Sequence, residues 1–175
     1  VFMHNDGLYA SLPFALSDQA LFAESNIAKL FFRLLSLKNS RFSGNDGFEL
    51  LSQKYVAEYY GLQTADLERI HYWLEQAAVR WGIDSQHRES VDGVAQLPFT
   101  WRYGLQRLLF GYASADPALV DGIAPVLAPT GQDQRMLDVL FAFTDFIEHV
   151  HAGLNQNMAA VQWQELLQSL LHKFT

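Results

Sequence analysis

Cysteine is absent from all 175 residues, so the chain has no disulfide framework, no thiolate zinc site and no cysteine nucleophile. Lysine is scarce: Lys29, Lys38, Lys54 and Lys173 are the only four. Twelve basic residues against nineteen acidic ones leave a net charge of −7, which excludes a module held on nucleic acid by a broad basic face. Charged residues make up only 18% of the chain and half of it is apolar, which excludes a disordered acidic tail and provides enough apolar surface for a core. No apolar run approaches the ~20 residues needed to cross a bilayer. The longest, Val139 to Phe143, is broken at once by Thr144 and Asp145. No basic segment followed by an apolar one opens the chain, so no signal or transit peptide is visible. Together with the missing cysteines this predicts a cytoplasmic protein without a membrane partner. The start at Val1-Phe2-Met3 predicts a piece of a longer protein.

What is present has the helical period. Strand-like alternation never persists beyond four residues, and no internal repeat is found. Residues 1–24 are irregular, with a turn at Asn5-Asp6-Gly7, and read as a lead-in segment; residues 25–175 read as a single helical domain. Ser25 is a good N-cap for a helix whose Ile27, Leu30, Phe31, Leu34 and Leu35 form one stripe. Residues 39–47 read as a loop, followed by two short helical pieces, the second stopped by Gly61. Thr64 is expected to cap the next helix, with Leu67, Ile70, Leu74, Ala77, Ala78 and Trp81 buried and Gly82 as its end. Residues 84–98 lack periodicity and predict an exposed loop. Thr100 opens another helix, and Asp116-Pro117 predicts a short element up to Pro125. Residues 132–154 and the stretch from Trp163 to Phe174 predict two more helices. The expected fold is all-α, an irregular multi-helix bundle of about six to eight helices.

Catalytic signatures are missing. A phosphate loop needs Gly-Lys-Ser/Thr, because backbone N–H groups cradle the phosphates while the lysine neutralises them; none of the eleven glycines is followed by lysine. A restriction-like nuclease needs an acidic residue and then Glu or Gln two positions before a lysine. Here those positions hold Ile27, Ser36, Ser52 and Leu171. His149 and His151, beside Asp145 and Glu148, are the densest group of metal-ligand types. Residues two apart on a helix point about 200° from each other, so the two histidines cannot share a metal, and the group reads as an exposed face with an ion pair. No catalytic residue, metal or cofactor is expected.

The stretch from Gly93 to Ala115 contains no acidic residue yet gathers Phe99, Trp101, Arg102, Tyr103, Arg107 and Tyr112. Arginine among aromatics suits phosphate contact and base stacking, which makes Arg102, Tyr103 and Arg107 the candidate contacts with DNA or a partner. The same stretch also reads as plain structure, with Trp101, Leu105, Leu108 and Tyr112 in the core and the two arginines solvating the outer face. Trp73 and Trp81, with Tyr55, Tyr59 and Tyr60, read as core or as a subunit contact.

Several words in the sequence resemble the RecC family, the gamma subunit of bacterial exodeoxyribonuclease V. They are Ser11-Leu12-Pro13-Phe14-Ala15-Leu16-Ser17-Asp18, Arg33 to Leu37, Ser40-Arg41-Phe42, Leu67 to Leu74, Val79-Arg80-Trp81-Gly82-Ile83-Asp84, and Thr100-Trp101-Arg102-Tyr103-Gly104-Leu105 leading to Leu109-Phe110-Gly111-Tyr112-Ala113. The resemblance covers most of residues 11–113. It implies a helical subdomain like the 2B subdomain of superfamily 1 helicases, in a subunit without its own ATP site. The subunit would scaffold a helicase–nuclease acting on double-strand breaks in recombinational repair. Implied partners are the other subunits and, within the full complex, DNA; this fragment would not itself be an enzyme. The alternative is a free-standing helical protein-interaction domain with no DNA role.

Overall fold

The computed structural model describes residues 25–114 and 117–174. The expected lead-in and the Asp116 cap lie outside the described residues. Eight α-helices fill the described part. They are α1 (Asn26–Ser36), followed by a 3-10 turn (Leu37–Asn39), α2 (Gly44–Leu51), α3 (Lys54–Tyr59), α4 (Thr64–Gln76), α5 (Ser85–Asp92), α6 (Trp101–Ser114), α7 (Gln134–Leu154) and α8 (Ala160–Lys173). Apart from two isolated bridges, Ser43 with Trp81 and Val120 with Ile123, the described residues contain no strand. The all-α bundle expected from the periodicity is what forms. No helix among the described residues is long and apolar enough to cross a membrane.

The longest periodic stretch makes the central element. Met136, Leu137, Val139, Leu140, Phe143, Ile147, Val150 and Leu154 of α7 are all buried. Each such side chain is worth about 1.5–3 kcal/mol when fully removed from water, so α7 contributes the largest share of the core. Helix α6 and the 3-10 turn pack against it. At the crossing, the fully buried Trp101 ring lies 5.3 Å from Phe42 and 6.1 Å from Phe143.

Caps account for the helix starts. Ser25 accepts from Ala28 N at 3.3 Å, and Thr100 Oγ1 accepts from Tyr103 N at 3.2 Å; both satisfy N–H groups that the helix itself leaves unbonded. At α4 the cap is one residue earlier than expected: Gln63 is the N-cap, and its backbone N–H donates to Asp66 Oδ2 at 3.0 Å.

Four local expectations are overturned. First, α4 ends at Gln76 rather than Gly82, because Ala78 takes a left-handed φ of 56°. Trp81 therefore sits on an extended segment and is half-buried, not part of a buried helical stripe. Second, the expected loop 84–98 contains α5, opened by Asp84 accepting from His87 N at 2.8 Å and closed by Gly93 at φ 79°. Its inward residues are His87 and Arg88, so an apolar period had nothing to register. Third, the expected loop 39–47 already holds the start of α2, where Ser43 and Asp46 form a reciprocal capping box. Fourth, residues 117–125 form no helix. Val120 and Ile123 exchange backbone hydrogen bonds across Asp121-Gly122, both at positive φ, the hairpin turn favoured by that dipeptide.

Candidate functional site

The arginines show where the domain keeps its positive charge. Arg102, at the start of α6, reaches the outer face of α7, donating to Asp145 at 2.5 Å and to Glu148. Burial alone would make that guanidinium easier to deprotonate, but the hydrogen bonds it donates to Glu148 and Asp145 prevail and raise its pKa. Arg107 donates from Nε to the carbonyl of Ala124 at 2.9 Å and from a terminal nitrogen to Ala77 at 2.8 Å. It ties the exit of α4 to the segment before α7. Tyr103 is half-buried, its ring 6.5 Å from Phe99. The three residues share one helix, and both arginines are engaged with protein acceptors.

Three more arginines take carboxylates: Arg33 with Glu49 at 2.8 Å, Arg69 with Asp133 at 2.6 Å and Arg135 with Asp66 at 2.9 Å. The Asp133 carboxyl is buried. Burial would raise its pKa, yet hydrogen bonds from Thr130 and Arg69 hold it below the ordinary value. Like Arg107, three further arginines, Arg41, Arg80 and Arg88, have no carboxylate within ion-pair distance among the described residues.

Two of those three meet at one side chain. The Arg88 guanidinium carbon lies 4.3 Å from the Trp81 ring centroid and that of Arg41 lies 5.0 Å from it. Cation–π attraction of this kind contributes about 0.5–2 kcal/mol. Arg88 is only 7% exposed and donates from one terminal nitrogen to the Pro98 carbonyl at 2.9 Å, while its buried Nε has no acceptor. Arg41 is exposed. Sequence reasoning missed this cluster because its members come from the turn after α1, the segment after α4 and helix α5. The one signal was lexical: Arg41 and Arg80-Trp81-Gly82 stand in two of the family-like words.

A histidine pair lies nearby. His87 Nδ1 accepts from Ile83 N at 3.3 Å, which puts the ring proton on the buried Nε2, and the ring meets His151 edge-on at 4.6 Å. Burial, then the neighbouring His151, lowers the His87 pKa; burial lowers that of His151 as well. His149, by contrast, is exposed. Among the described residues no group of three or more His, Asp or Glu side chains is placed to hold a metal ion.

Residues 24–175 match the family described as the RecBCD enzyme subunit RecC fourth domain. The chain belongs to the RecC family. Relatives carrying the name RecBCD enzyme subunit RecC include those of Haemophilus influenzae, 28% identical over 99% of this chain, and Escherichia coli, 27% identical over 93%. The Buchnera aphidicola protein is 24% identical over 94% of it. In each case the chain spans about 15% of the relative's length. It is therefore similar to one domain of RecC rather than to the whole subunit.

Proposed function

We propose that this RecC-family domain is a noncatalytic helical element of a helicase–nuclease of the exodeoxyribonuclease V type, where it positions subunits and DNA during recombinational repair of double-strand breaks. The match to the RecC fourth domain over residues 24–175 carries the reading. The sequence supports it, having no phosphate loop and no Glu/Gln-x-Lys nuclease signature. The domain corresponds in this reading to the 2B subdomain of superfamily 1 helicases and works in the cytoplasm with the other subunits. Arg102 and Arg107 brace α6 so that the half-buried Tyr103, beside Phe99, faces a partner or DNA.

The test replaces the domain by a flexible linker in the full subunit, then measures co-purification with the partner subunits and ATP-dependent degradation of linear duplex. Loss of assembly or of processive degradation is expected, with ATP and DNA left intact by the isolated domain. Metal-dependent DNA cleavage that co-purifies with the domain and disappears on Asp145→Asn or Glu148→Gln would overturn the noncatalytic reading.

A further inference from the structure

We propose that Arg41 and Arg88, gathered on Trp81, form a binding site for the backbone phosphates of duplex DNA. This rests on the DNA-handling reading above and names the surface that performs it. An acidic domain has carboxylates to spare, and four of its other arginines take them. Arg41 and Arg88 instead give their faces to an indole. A guanidinium stacked on a ring keeps its in-plane N–H edge for an oxyanion, and that edge matches two phosphate oxygens at once.

The site is built, and it is incomplete. Gly82, at φ 86°, turns the backbone so that the Arg88 stem lies directly on it; a Cβ at that position would stand 2.8 Å from Arg88 Cγ. The Pro98 carbonyl fixes one terminal nitrogen. A buried guanidinium with one carbonyl, one ring face and an unbonded Nε bears a desolvation cost that an anion at the site would offset. Arg41, exposed on the same ring, is the edge that an incoming phosphate meets first. A guanidinium that meets phosphate oxygens reads backbone and not sequence. The net charge of −7 opposes phosphate approach to the domain as a whole, so a phosphate contact needs a local cluster of cations such as this one.

The experiment uses the full subunit assembled with its partner subunits and a short, blunt-ended, fluorescently labelled duplex, with affinity measured across a salt series. Arg41→Ala should lower the slope of log K against log salt by about 0.9, and Arg41→Ala with Arg88→Met by about 1.8. Arg88→Met keeps the apolar stem on Gly82. Arg41→Lys should restore most of the slope. Arg80→Ala is the control for bulk charge: Arg80 lines a separate cavity of about 320 Å³ with His71 and Glu75, and its loss should leave the slope unchanged.

An unchanged slope in Arg41→Ala with assembly intact overturns the proposal, and so does an equal loss in Arg80→Ala. Impaired assembly with an unchanged slope makes the cluster a protein interface and also overturns it, leaving the scaffold reading standing. A wild-type complex that assembles and binds no duplex refutes the DNA-handling reading, and the proposal with it.

Discussion

Gly111 of α6 backs onto the carbonyl of Val126 so closely that a Cβ there would stand 1.9 Å from the oxygen. The contact is fixed from the other side, since Val126 N donates to the carbonyl of Arg107 at 2.9 Å. The segment before α7 is thus laid flat along α6, and only a glycine admits it.

Gly111→Ala should therefore destabilise the fold by about 1–3 kcal/mol through overpacking. The ~1 kcal/mol that alanine gains over glycine in a helix interior offsets part of this. The obstacle is backbone, which no rotamer change can relieve. Urea denaturation of wild type and variant measures the loss; an alanine variant as stable as wild type would show that the segment slides away at little cost.

The two arginines of α6 should separate by their acceptors. Arg102 faces carboxylates that are 61% and 44% exposed, so Arg102→Ala should cost less than about 1 kcal/mol, an effect that shrinks further in salt. Arg107→Ala strands the carbonyls of Ala77 and Ala124 and should cost about 1.5–3 kcal/mol, the range for hydrogen bonds to a charged group. Midpoints for both variants, compared at low and high salt, check the order.

Trp101 and Trp81 should differ likewise. Trp101→Ala removes a fully buried ring and should cost about 3–5 kcal/mol. Trp81→Ala loses a half-buried ring and two cation–π contacts, and about 1–2 kcal/mol is expected. A Trp81 variant as damaged as the Trp101 variant would place Trp81 in the core.

Stability should fall as acid reaches the histidine pair. Both native pKa values lie below the ordinary 6.5, so the unfolded chain takes up protons first. The contribution of the neutral pair is full above 6.5 and is lost as pH falls through the lowered native values. Denaturation midpoints from pH 7.5 to pH 4.5, about the range in which histidines titrate, should drop more steeply for wild type than for a His87→Gln variant; parallel curves would argue against the pair.

The sequence by itself determined the class and much of the skeleton. The apolar period of residues 132–154 is α7, and Ser25, Thr100 and Gly61 act at the ends where capping chemistry puts them. These are local facts: a cap or a stripe depends on neighbours within about one turn. Tertiary structure decided the rest. Helix α5 turns His87 and Arg88 inward, so no apolar pattern marks it, and its burial depends on the neighbouring Trp81 and on His151, far away in the chain. The roles of Arg102 and Arg107 were equally undetermined, because a guanidinium binds whichever acceptor the fold brings near it, and those acceptors come from α7 and from the ends of other segments. Arg41 and Arg88 meet on one indole only because the turn after α1, the exit of α4 and helix α5 converge there, a contact between segments that no local propensity encodes.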